Sequence, residues 1–258
     1  MKPARSQLPH VAWACLAFGL LTVAGEGLAA EGTLHSVLPT PAVWLEGKEA
    51  FSSKLQCPTT DALEDSVVSI YCQAEVTAAG EIINSGCLPP PGPHTLQRKA
   101  ARRALMELEY VPATVDGVPV AVLIYATAIF VTKGGTCTAI GYPNWGVNLK
   151  ALGGLDYTAP QEILTNGGWV KTIPRIMRQI RRQTANKLGL VLAMSAEVSA
   201  NGVPSEVRLV KNNIELEKHD IEKVTGAYLE TRFVPAYFNG QPKATRIMEA
   251  FHIVWWAD

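Results

Sequence analysis

Charge is scarce in this chain and balanced: charged residues make up 18% of the 258, with 23 basic side chains against 23 acidic ones. Such a chain has no global field toward nucleic acid or an anionic surface, so no nucleic acid is expected as a partner and membrane contact only indirectly. The signatures of catalysis are missing as well. His35, His94, His219 and His252 are scattered, without the H-x-x-x-H or H-E-x-x-H spacing that turns two imidazoles toward one zinc ion. No serine lies in a G-x-S-x-G elbow. Gly134-Gly135, Gly153-Gly154 and Gly167-Gly168 lack the Lys-Ser/Thr that completes a phosphate loop, and read as hinges. Glu215, Glu217, Asp220 and Glu222 are not spaced as a calcium loop, so they and His219 read as a solvated face. No catalytic residue, metal ligand or cofactor is therefore expected, and the chain is read as a non-enzyme.

A hydrophobic run long enough to span a bilayer is also lacking at the start of the chain. Val11 to Gly25 is apolar for about 15 residues where a spanning helix needs about 20. Lys2 and Arg5 precede it, and the small residues Gly27, Ala29 and Ala30 follow. That is the order of a signal peptide, here residues 1–30, removed near Ala29 or Ala30 on the way to the periplasm. Cys15 would leave with it. The remaining cysteines, Cys57, Cys72, Cys87 and Cys137, then enter an oxidising space and read as disulfides. Zinc is disfavoured because the spacings are wide and no C-x-x-C occurs. Four cysteines allow three pairings. Sequence alone does not choose among them; Cys72 and Cys87 are equidistant from a turn at Ala79-Gly80, so hairpin geometry favours pairing them, with Cys57–Cys137 then the second bridge.

What the chain does have is a motif order that occurs twice. Ala74-Glu75-Val76-Thr77-Ala78-Ala79-Gly80 and Tyr110-Val111-Pro112-Ala113, with Gly117 following, correspond to Ala196-Glu197-Val198-Ser199-Ala200-Asn201-Gly202 and Phe233-Val234-Pro235-Ala236, with Gly240 following. The two offsets differ by one position, so a single indel separates the copies. Residues 31–66 are hard to read; a helix over Ala42 to Leu55 is weakened by Gly47. Val67 to Thr77 alternates at the period of a half-buried strand and returns as Glu81 to Leu88. Pro89-Pro90-Pro91-Gly92-Pro93 forms a stiff corner. A helix capped by Thr95 runs to Leu108, and Val118 to Val131 is a long apolar strand. Residues 134–168 are rich in Gly, Pro and Asn without a period, and read as a linker.

The second copy opens with a helix at Pro174 whose exposed side, with Arg175, Arg178, Arg181, Arg182 and Lys187, is wholly basic. It is either a solvated face or a contact for anionic lipid head groups, cell-wall polymer or an acidic protein. A strand from Leu188 to Ala200 follows, then the Asn201-Gly202 hairpin turn and a return strand to Lys211. A helix capped by Asn212 and Glu215 carries a stripe of Ile221, Val224, Tyr228 and Leu229. The last strand, Lys243 to Trp256, resists a face assignment. Thr245, Ile247, Glu249, Phe251 and Ile253 lie on one face and Arg246, Met248, Ala250, His252 and Val254 on the other; a polar intruder on each points to a bulge or to a strand only partly covered.

Each copy thus reads as a split β-α-β unit with strand order 2-1-3. The expected fold is α+β: two tandem domains, residues 31–133 and 169–258 joined by 134–168, each a three-stranded antiparallel sheet with helices on one face. Each unit resembles the C-terminal domain of TonB and its relatives, the second copy most fully, through Pro174, Gly189, Val198 to Gly202, Phe233 to Ala236 and Asn239-Gly240. It differs from an energy transducer of that family in lacking a long Pro-rich spacer and in having cysteines and a second copy. The resemblance implies a periplasmic interaction module linked to outer-membrane transport, with an edge strand that receives an extended segment of an envelope protein. A homodimer is the other partner such an edge allows. The partner-binding residues expected are Arg246, Ile247, Met248, Glu249 and Phe251 on the last strand, and Arg175, Arg178 and Arg182 on the basic helix. The competing class is a cell-envelope hydrolase or transferase whose site is assembled only in three dimensions.

Overall fold

A computed structural model describes residues 38–59, 64–88, 92, 94–144, 156–164, 191–212 and 216–252. The signal segment and the basic helix with Arg175, Arg178 and Arg182 lie outside the described residues, as does most of the proline corner. Residues from Ser36 onward form one compact unit.

The first sheet is built on β2 (Ser66–Val76), β3 (Ile82–Leu88) and β7 (Val122–Lys133). Alternation decides the faces: Val68, Ile70, Cys72, Ala74 and Val76 of β2 are buried beside Val122, Ile124, Ala126, Ala128 and Phe130 of β7. Over them lie α1 (Ala50–Lys54), through Phe51, and α2 (Thr95–Met106), through Ala101, Ala104 and Leu105. Alanines at two of those α2 positions let the helix sit close to the sheet. His94 rather than Thr95 is its N-cap, and α1 is far shorter than the helix expected, because Gly47 adopts φ 89° just before it. In the β2–β3 hairpin Cys72 and Cys87 are register partners and form a disulfide with Cα atoms 4.0 Å apart. Cys57 and Cys137 form the other, at 6.0 Å. Both pairings follow the hairpin geometry.

The second sheet is β11 (Val191–Val198) between β12 (Pro204–Asn212) and β16 (Thr245–His252). Leu192, Met194, Ala196 and Val198 face Val224 and Tyr228 of α3 (Lys218–Glu230). This helix begins later than expected, after Glu217, and Asn212 still belongs to β12.

The hairpin turns explain why each turn sequence is paired with an aromatic-Val-Pro-Ala segment. Gly80 and Gly202 both adopt positive φ, and a Cβ on either would lie 2.1 Å from the Tyr110 carbonyl oxygen or 1.8 Å from that of Phe233. Backbone this close to backbone admits only glycine.

Two tandem three-stranded domains are nevertheless not what the chain forms, and the identification with tandem TonB C-terminal domains falls with them. The described residues hold five sheets of two to six strands and three helices in one continuous unit. The segment expected as linker supplies the stitching. Gly134 and Gly135, both at positive φ, turn β7 tightly into β8 (Thr136–Tyr142) instead of acting as a hinge. Further on, β10 (Gln161–Ile163) pairs with β7 on one side and with β13 (Phe233–Val234) on the other. The first sheet therefore runs β13-β10-β7-β2-β3, with β8 also on β7, and it includes a strand from the C-terminal half. In the same way β9 (Tyr157–Thr158) pairs with β14 (Ala236–Phe238), which turns into β15 (Gln241–Lys243). Near the N-terminal end β1 (Val43–Trp44) pairs with β4 (Tyr110–Val111), and β5 (Ala113–Val115) pairs with β6 (Val118–Val120). Strands of two or three residues are held by their ladders and have no room for a hydrophobic period. A long apolar strand expected at an edge, β7, is central because β8 and β10 pair along its second side.

Two buried amides hold the stitching in place. Gln161 accepts from the Ala42 amide at 2.7 Å and donates to its carbonyl at 2.8 Å, taking the place of a ladder partner. Asn144 donates to the Tyr157 carbonyl and accepts from the Ala159 amide. No helix among the described residues is long and apolar enough to cross a membrane.

Candidate functional site

The strand that carries most of the partner-binding residues expected from sequence is β16. It pairs with β11 from Val191↔His252 to Val198↔Thr245 without a register shift. The bulge expected here is in β12 instead, where the register slips twice and Glu206 adopts φ 48°.

The polar intruder Glu249 has a different explanation. It lies on the core face of β16, 3% exposed, opposite Met194. Tyr228 of α3 donates to its Oε2 at 2.7 Å, and Tyr125 of β7 donates to its Oε1. Tyr125 projects from the face of the first sheet that turns away from α1 and α2. A carboxylate in the core of one half is thus held by a hydroxyl from each half. Burial raises the Glu249 pKa above the carboxylate range, and the two hydroxyls pull against that rise. Burial and the nearby charges of Glu249 and Glu162 push both tyrosines well above their ordinary pKa. Glu162 of β10 is itself fully buried.

Of the other residues expected to bind, Ile247 points inward and is 4% exposed. Arg246 points outward but is engaged within its own sheet, 2.5 Å from Glu206 and 3.4 Å from Glu197. The guanidinium holds the Glu206 carboxyl below its usual range. Met248 is 40% exposed, and Phe251 pairs through its backbone with Leu192. Of Arg246, Ile247, Met248 and Glu249, two therefore point inward and two outward, and Arg246 is engaged within its own sheet. Met248 and the backbone are what this part of β16 presents.

That backbone contrasts with the other edge of the sheet. Among the described residues β16 pairs on one side only, and Thr245 to His252 contains no proline, lysine or register shift. The β12 edge begins with Pro204, is bulged, and carries the exposed Arg208. Those are the devices by which proteins blunt an edge against strand addition. In the first sheet α1 lies against β8, with the Ser52 hydroxyl on the Gly141 amide at 2.9 Å and Phe51 filling the space above that glycine.

Among the described residues no group of three or more His, Cys, Asp or Glu side chains could hold a metal ion. Sequence reasoning missed Tyr125, Glu162, Gln161 and Asn144. The one available signal was an acid on the apolar face of a strand, which needs donors from somewhere. Comparison with models of protein families, with characterised proteins and with solved structures finds no match.

Proposed function

We propose that this chain is a non-catalytic interaction protein of the cell envelope that receives an extended segment of another protein along β16. The observation that supports it is the asymmetry of the second sheet: among the described residues the β12 edge carries a proline, a bulge and an exposed arginine, whereas β16 is regular and carries only Arg246, which is engaged within its own sheet. A regular strand with an open row of N–H and C=O groups supplies affinity through the backbone, and Met248 on its outward face adds apolar contact. The two disulfides support a compartment outside the reducing cytoplasm. They agree with residues 1–30 as a cleaved signal peptide and with a periplasmic location.

The test uses eight-residue peptides selected by display against the wild-type chain. Ile247→Pro and Met248→Pro are made separately. Neighbouring N–H groups point to opposite sides of a strand, so one proline strips a donor from the open edge and the other breaks the ladder with β11. At least one variant that remains folded by circular dichroism is expected to lose the selected peptides at least tenfold. Undiminished binding by both variants would overturn the proposal.

A further inference from the structure

A cavity of about 250 Å³ lies between β1, β7 and the segment that carries β9 and β10, and no residue of β16 is among its described lining. Trp44, Tyr110 and Tyr125 supply three aromatic walls, Ile124 and Ala159 the apolar remainder, and Lys48 stands at the rim. The polar groups of these walls are largely spent inside the protein. The Trp44 indole N–H donates to the Tyr110 hydroxyl at 2.6 Å, and the Tyr125 hydroxyl goes to Glu249. The Gln161 and Asn144 amides are taken up by backbone. The interior is therefore predominantly apolar. The cation at the rim is Lys48, paired with Asp156, and both side chains are more than half exposed. Such a pair is weak and gives way to another anion.

Size, wall chemistry and charge together define the ligand. An apolar cavity of about 150 Å³ holds benzene, and pockets for larger ligands begin at roughly 300 Å³. A volume between the two takes one aromatic ring or a fused pair with a short arm. Ring walls favour a ring over an alkyl chain, by about two- to tenfold for each well-placed aromatic pair. We propose that this cavity is a binding site for a small aromatic carboxylate. Its ring packs among Trp44, Tyr110 and Tyr125, and its carboxylate replaces Asp156 on the Lys48 ammonium.

Calorimetric titration of the full chain with three probes tests this. Indole-3-acetate has both ring and carboxylate, 3-methylindole has the ring alone, and hexanoate the carboxylate alone. Indole-3-acetate is expected to bind more tightly than 3-methylindole by no more than about threefold, because its ion pair with Lys48 replaces the one that Asp156 already makes, and at least fivefold more tightly than hexanoate. Lys48→Met should erase the first difference and leave 3-methylindole binding unchanged. Val43→Trp adds bulk at a 40% exposed position of the cavity lining, and should weaken both indoles at least tenfold with the melting temperature unchanged. The proposal is overturned if no probe binds at millimolar concentration, if hexanoate matches indole-3-acetate, or if binding survives Val43→Trp unaltered.

Discussion

Replacing Tyr125 with phenylalanine keeps the ring and removes the hydroxyl that reaches across to Glu249, so no cavity complicates the result. A hydrogen bond to an ionised acceptor contributes about 1.5–3 kcal/mol, and one between neutral groups about 0.5–1.5 kcal/mol. Which applies depends on the charge of Glu249. Burial raises its folded-state pKa above the ordinary 4.5. A group with a raised folded pKa contributes its stability fully below the unfolded value, and that contribution is lost as pH rises through the folded value. The wild type should therefore lose stability relative to Glu249→Gln as pH rises from about 4.5. The cost of Tyr125→Phe should grow over the same interval, because the lost hydroxyl favoured the ionised form. At about 2–4 °C per kcal/mol for a unit of this size, the melting temperature should fall by roughly 3–12 °C at pH 8 and by less at pH 4.5. Scanning calorimetry of wild type, both single variants and the double variant completes a cycle. A coupling of about 0.5–3 kcal/mol is expected for groups in contact. Additive, pH-independent effects would refute the idea that this carboxylate ties the two halves together.

Three further expectations rest on other parts of the molecule. Converting Cys57 and Cys137 to serine opens a loop with a sequence separation of 80 and should cost about 4.5 kcal/mol. The same change at Cys72 and Cys87, separation 15, should cost about 3 kcal/mol; the reverse order in urea titrations would contradict the loop-closure account. Gly202→Ala combines positive φ with a clash against the Phe233 carbonyl, whereas Gly117→Ala meets open space and should cost only about 1–2 kcal/mol. Equal melting temperatures for those two variants would remove the contact between turn and motif as an explanation of their pairing. N-terminal sequencing of protein recovered from the cell envelope should begin near Ala29 or Ala30, and an intact Met1 would sink the reading of residues 1–30 as a cleaved signal.

The legible parts of the fold were those in which side-chain period and turn chemistry act locally. Val68, Ile70, Cys72, Ala74 and Val76 alternate in the sequence because they alternate in space, and the turn at Ala79-Gly80 dictates which cysteines meet. What stayed hidden depends on backbone pairing between distant short segments. Gln161 to Ile163 and Phe233-Val234 carry no period, yet their ladders turn two presumptive domains into one unit. The site was legible only in part. Glu249 looked like an error of pattern, because its donors come from β7 and α3, far off in the chain. Arg246 looked available because its acidic partners lie on other strands.

Hydrogen exchange along β16 tests the central claim most directly. With a selected eight-residue peptide bound, amides at alternate positions between Thr245 and His252 should gain protection while those of β12 stay as they were. Protection that appears along β12 or around Trp44, with β16 unchanged, would contradict the account.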